Sequence, residues 1–415
     1  MGERAMSDSL IPRPQPLGVF PLPAGYLLIG PGDGHDAVRQ ALLAGRRPAA
    51  MPDSLRYYAA ALDGDVDGAL AALGRADDPI ALANRFVLAP DAGLFGRLLA
   101  IDDVDLRTFV TTVAFVVGLA PSPPEAPRID GELAAMVHAA QATLALERHD
   151  RGAALDHLEE AARAAQPISA PLAGQLLGQM ANLQLDEGGT TRAKVTLEAA
   201  IDALTGTDLH VSLAELHVTA GAMYQEMSEA APRLMKAAID HYLSALSLIS
   251  IATAPETFAI ANANLGLAYL MTPMQEASDL LRTGIAVQSM RDALKVFTAE
   301  THPDRWASTQ LNLANALVYM PSTHQADNIA EAIELYEDVL ALRDRNRDPQ
   351  GRARVLANQG NALAHLGAFD QAKARLHEAR AIFEEFEDHD EVRTVRSILD
   401  EIAKQESIIR QDAGT

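Results

Sequence analysis

The feature that most constrains this chain is an internal repeat of small residues at helical spacing. Ala154/Leu158/Ala161, Ala193/Leu197/Ala200, Ala238/Tyr242/Ala245, Ala286/Met290/Ala293, Ala332/Tyr336/Val339 and Ala372/Leu376/Ala379 each advance by four residues and then three. Each set therefore lies on one face of a helix. A second motif keeps step with the first: TAGAMY (219–224), NLGLAY (264–269), NLANAL (312–317) and NQGNAL (358–363) each begin 26 residues after the Ala of an earlier set. Two helices recurring in fixed register read as stacked helix pairs, because a single pair cannot bury its apolar face alone.

Packing explains the residue choice. Two helices approach closely only where one is nearly bare, so Gly221, Gly266, Ala314 and Gly360 on the first helix make room for the second, including its Ala positions. Tyr224, Tyr269, Leu317 and Leu363 fill the space beside them. In the tight pairs a Gly ends the first helix five residues before the Ala, as in Gly188 to Ala193 and Gly367 to Ala372. The same step at Gly64 to Ala69 predicts a degenerate repeat nearer the N-terminus. Composition agrees with an all-α class: 48% of residues are hydrophobic, yet only 5% are aromatic, which suits close helix packing better than β-sandwich faces.

Four zones follow along the chain. Residues 1–50 are rich in Pro and Gly and carry an apolar piece, GVFPLPAGYLLIG, readable as an extended strand or a segment packed on the body, with no function assigned. Residues 51–128 read as irregular helices, closed by the breaker PSPPEAP (121–127). Helical periodicity is nearly continuous over 129–406, and 407–415 is a tail. The acidic run FEEFEDHDE (383–391) reads as a solvated helix face and turn.

At the repeat motifs the chain resembles the tetratricopeptide family, whose pattern is a Leu-Gly/Ala-x-x-Tyr first helix followed by an Ala-x-x-x-Phe/Tyr-x-x-Ala second helix. HPDRWASTQLNLANAL (302–317) looks most like the long-repeat branch that includes kinesin light chain and bacterial multi-repeat proteins. Successive second-helix Ala positions are 39, 45, 48, 46 and 40 residues apart, longer than the family's 34. MSEAAPRLM, MTPMQEASDLLRTG and MPSTHQADN occupy the insertions. The family's closing Pro of each second helix is missing, and its early Trp does not recur. The resemblance implies a right-handed superhelical solenoid of about six antiparallel helix pairs over 129–406, binding proteins.

First helices line the concave side of such a solenoid, so matching positions form a ladder. Asn264, Asn312 and Asn358 make one rung series, and Asn315 with Asn361 a second, three residues further on. An Asn side chain offers a donor and an acceptor, which suits the backbone amides of an extended segment, and relatives use Asn at matching positions this way. The competing reading is that these Asn cap insertions or bridge adjacent helices. Tyr319, Arg354, His365 and Met271 stand near enough in sequence to tune specificity.

Other chemistry finds little support. The sequence has no cysteine, which excludes disulfides, thiol catalysis and Cys-based metal sites. Asp63-Gly-Asp65-Val-Asp67-Gly68 copies the start of a calcium loop, but position twelve is Gly74 where a bidentate Glu is needed. It reads as a helix–helix turn with Asp67 as cap. GPGDGHD (30–36) lacks the Lys and Ser/Thr of a phosphate loop, His210 and His217 lack a third ligand, and no nucleophile elbow is readable. The net charge of −22 repels phosphate backbones and anionic lipid, and the longest apolar stretch, around 109–120, is too short to span a bilayer.

The expectation is a cytoplasmic, non-enzymatic scaffold without cofactor or metal. It would hold a neutral or basic segment of a partner protein, as an adaptor or as an assembly or maturation accessory factor, with no nucleic acid or membrane among its partners. A peptide- or ligand-sensing regulatory receptor is the alternative. An activity confined to 1–128 is the reading from a different class.

Overall fold

A computed structural model describes residues 18–125, 131–272, 279–320, 322–343 and 348–412. Regular structure among them is helical, with no strand. The chain divides into two compact units, Met1–Met223 and Tyr224–Thr415.

Unit 1 opens with an irregular stretch around a short 3-10 turn at Ala24–Tyr26. Then come α1 (His35–Leu43), α2 (Arg56–Leu62), α3 (Val66–Leu73), α4 (Pro79–Leu88), α5 (Ala92–Leu99) and α6 (Val104–Val116). Helix α1 falls inside the zone whose sequence reads only as Pro/Gly-rich. The longer helices α7 (Gly131–Glu147), α8 (Arg151–Ala165), α9 (Ala170–Asp186) and α10 (Thr190–Leu204) follow, then α11 (His210–Met227), within which the division falls. Aspartates start many of these helices. Asp65, Asp78, Asp91, Asp103 and Asp150 each accept a first-turn backbone N–H through the side chain, worth about 1 kcal/mol apiece. The first of these corrects the sequence reading: Asp65, not Asp67, caps α3, accepting the Gly68 N–H at 2.8 Å. Gly64, at φ 78°, turns the chain so that Asp65 stands three residues before that N–H, leaving Asp67 inside the first turn.

Unit 2 contains α12 (Met235–Leu248), α13 (Pro255–Met271), α14 (Asp279–Ala293), α15 (Pro303–Tyr319), α16 (Gln325–Leu342), α17 (Pro349–His365), α18 (Phe369–Glu385) and α19 (His389–Asp412). Pro255, Pro303 and Pro349 each sit in the first turn of a first helix, where a missing N–H costs nothing and the fixed φ is already helical. Of the three insertions, residues 273–278 and 321 lie outside the described residues. The acidic run resolves into the end of α18, a turn and the start of α19, with Phe383 buried beneath it.

Helices pack as the repeat requires: α2 with α3, α7 with α8, α9 with α10, α13 with α14, α15 with α16, and α17 with α18. Three-residue connections such as 148–150, 187–189 and 366–368 make the pairs they join antiparallel. First helices of unit 2 also neighbour one another, α13 with α15, α15 with α17, and α17 with α19, so they line a common face. All six repeat alanines, Ala154, Ala193, Ala238, Ala286, Ala332 and Ala372, are fully buried.

In two pairs the closing contact leaves no room for a Cβ. A Cβ on Gly360 would stand 2.7 Å from Leu376 Cγ and 3.2 Å from the Ala372 carbonyl oxygen, and one on Gly266 would stand 3.0 Å from the Ala286 oxygen. The small residue on the first helix thus faces the repeat Ala of the second, as the motif register predicts.

Candidate functional site

The face shared by α13, α15, α17 and α19 carries three grooves. The first, about 380 Å³, is lined by Ile260, Asn264 and Leu267 of α13, Met290 of α14, Phe297, and Asp304, Arg305, Ser308 and Asn312 of α15. The second, about 310 Å³, lies between Tyr269, Arg282, Asn315 and Tyr319. The third, about 300 Å³, is bounded by Asn361 and His365 of α17 and by Ile398, Glu401 and Gln405 of α19. Two proposed Asn, Asn264 and Asn312, thus line one groove, and two more line the others.

The remaining bonds of these residues run inside the protein. Asn315 Oδ1 accepts from the Tyr336 hydroxyl at 2.6 Å and from Asn358 Nδ2 at 3.1 Å. Asn361 Nδ2 donates to the Tyr319 hydroxyl at 2.8 Å, and the Tyr319 and His365 rings meet edge to face, 6.2 Å between centroids. Asn264 hydrogen-bonds the Tyr242 hydroxyl, whose ionisation burial pushes far above the usual phenol range. That hydroxyl donates in turn to Gln225 Oε1 at 2.9 Å. Tyr242 and Tyr336 occupy the same repeat position, so a second-helix tyrosine reaches through to the polar side chains of the first helices in two repeats. Arg354 is exposed and lies 3.7 Å from Glu391 of α19.

The rungs therefore differ in what they leave free. Asn315 and Asn358 bridge neighbouring first helices, and Asn361 is committed to Tyr319. Asn312 makes no hydrogen bond among the described residues, although it lines the first groove. Tyr319 remains 61% exposed despite its two contacts.

Two residues of that groove were not singled out by sequence. The Arg305 guanidinium lies 5.6 Å from the centroid of the Phe297 ring, and Phe297 is buried. Phe297 follows the end of α14, outside the repeat motifs, and Arg305 lies in the first turn of α15, ahead of the recurring NLANAL. Among the described residues no group of three or more His, Asp or Glu is placed to hold a metal, and no helix is long and apolar enough to cross a membrane.

No family model and no curated protein matches the chain. Among solved structures, the apo form of RapI aligns with a TM-score of 0.49 at 12% identity, over 86% of this chain and 97% of that one. A Rap protein complexed with competence and sporulation factor aligns with a TM-score of 0.43 at 13% identity, over 85% and 97%. A tetratricopeptide repeat protein from Parabacteroides merdae gives 0.39 at 15% identity, over 67% and 96%. Likeness at this level concerns helical architecture and says nothing of a ligand.

Proposed function

We propose that this chain, built of tetratricopeptide-type helix pairs, is a non-enzymatic protein-binding scaffold that holds an extended segment of a partner on the first-helix face of unit 2. The observation that carries the reading is the first groove, which Asn264 and Asn312 line together with the apolar Ile260, Leu267 and Met290. Asn312, with no hydrogen bond among the described residues, retains both its donor and its acceptor for a peptide unit, Asn264 keeps the capacity that Tyr242 does not use, and the apolar lining supplies burial for the segment's side chains. The excess of 22 negative charges favours a neutral or basic segment.

The test starts from a partner captured with the full chain and identified by mass spectrometry, followed by titration calorimetry. Each lost hydrogen bond is worth about 0.5–1.5 kcal/mol, so the double variant Asn264→Ala/Asn312→Ala is expected to bind about tenfold more weakly, at about 1.4 kcal/mol per decade, with helicity unchanged. Asn358→Ala serves as comparator and should lower stability more than affinity, because its amide is spent on Asn315. Unchanged affinity in the double variant would move the site off this groove. A fall in affinity with added salt would establish the charge contribution.

A further inference from the structure

Unit 1 already holds a segment against its helices, and it is the chain's own, folded as a turn in which the Gly18 N–H donates to the Gly25 oxygen at 2.7 Å and the Gly25 N–H to the Pro21 oxygen at 3.1 Å. Residues 18–29 run as a strap along the body with Val19, Phe20, Leu27, Leu28 and Ile29 buried. Side-chain amides grip its backbone at two places. Asn84 of α4 brackets one residue from both sides, Oδ1 accepting the Leu28 N–H at 2.6 Å and Nδ2 donating to the Leu28 oxygen at 2.8 Å. The Tyr57 hydroxyl donates to the same oxygen at 2.8 Å. At the other end Gln175 Nε2 of α9 donates to the Val19 oxygen at 2.8 Å, and Gly18 rests against Leu172.

Register locates this second grip on the first-helix face. Ala181 precedes Ala193 by the 12 residues that separate Gly360 from Ala372. Gln175, Gln179 and Asn182 of α9 therefore stand where Arg354, Asn358 and Asn361 stand in α17. The strap lies beside these rungs. Gly18 and Tyr26 share a small cavity with Met136 and Ala139 of α7 and with Gln175 and Gln179. On its other side Phe20 and Pro21 border an open groove of about 250 Å³ lined by Gln179, Asn182, Ser212, Glu215 and Thr219. Between residues 18 and 30 the strap, GVFPLPAGYLLIG, has no charged side chain.

We propose that the first-helix face of unit 1 is a binding surface for an uncharged, apolar, proline-bearing turn, and that residues 18–25 occupy it as a built-in competitor tethered by the Leu28 bracket. The chemistry of the occupant is read from the occupant present. One amide of α9, Gln175, serves its Val19 carbonyl, and the apolar contacts accept Val and Phe side chains without any counter-charge. A partner segment of the same kind would take the surface only when the strap swings out, which makes the contact autoinhibitory. The proposal rests on the reading of first helices as the binding face, applied here to the other unit.

A fluorescein-labelled synthetic peptide of residues 18–30 is titrated into the full chain, wild type and Val19→Asp/Phe20→Asp, whose strap cannot stay buried with two carboxylates. The variant is expected to bind the peptide at least tenfold more tightly than wild type, to lose that gain when Gln175→Ala is added, and to ignore a scrambled peptide. Equal binding by wild type and variant, or equal binding of the scrambled peptide, overturns the proposal. Should the variant lose helicity, hydrogen exchange on wild type decides. The Gly18 and Gly25 amides, bonded to the Gly25 and Pro21 oxygens, are expected to exchange at least tenfold faster than the interior of α9. Exchange at the α9 rate would make the strap a fixed part of the core and sink the idea. None of these outcomes depends on Asn264 or Asn312, so failure here leaves the unit 2 reading standing.

Discussion

Gly360 and Gly284 show how one residue type takes opposite roles within one unit. Both are helical, and an added methyl would improve helix propensity at either by about 1 kcal/mol. At Gly284, on α14, a Cβ meets nothing within 4 Å, so Gly284→Ala should stabilise by about 0.5–1 kcal/mol. At Gly360 the same methyl would run into Leu376 Cγ at 2.7 Å, with backbone behind it. Overpacking of that kind costs about 1–3 kcal/mol, which outweighs the propensity gain, so Gly360→Ala should destabilise. Urea denaturation of the two variants checks the sign, and a stabilising Gly360→Ala would break the helix-pair register. The contrast was visible in the sequence, since Gly360 lies in the recurring motif and Gly284 does not.

Between helices, the Asn ladder does two jobs that spacing alone does not separate. Asn315 receives two hydrogen bonds, from the second helix of its own pair and from the first helix of the next. Deleting the donor is then cheaper than deleting the acceptor. Tyr336→Phe removes one bond and is expected to cost about 0.5–1.5 kcal/mol, whereas Asn315→Ala strands the buried Tyr336 hydroxyl as well and should cost about 1–3 kcal/mol more than a surface Asn change. Comparing chemical denaturation midpoints of the two variants tests this; equal losses would mean that the hydroxyl finds water instead. Sequence showed that these Asn recur on one helical face. It did not show which would be consumed by neighbours, because that depends on a tyrosine 21 positions away and an asparagine 43 positions away.

At the scale of the whole chain, the division into two compact units predicts separable unfolding. The core of unit 2 runs from Val287 and Met290 through Leu313, Tyr336 and Leu356 to Phe383 and Ile402. The single tryptophan, Trp306, packs against it, so its fluorescence reports unit 2 while circular dichroism reports every helix. Gly360→Leu is expected to lower the fluorescence midpoint and leave a second dichroism transition in place, since stacked repeats pass stability mainly to their neighbours. Coincident fluorescence and dichroism transitions in wild type and variant alike would show one cooperative unit instead.

The helix pairs, their register and the bare residues at their contacts were determined by the sequence alone, because helical periodicity and close packing are local demands that repeat at fixed intervals. The two grips on residues 18–29 and the fate of each Asn were decided only by the tertiary structure. Asn84 lies 56 residues from Leu28 and Gln175 lies 156 from Val19. No spacing rule spans such distances, since the bond is made by whichever amide the packed helices bring to the strap, and a hydrogen bond at 2.8 Å leaves no trace in either residue's neighbours along the chain.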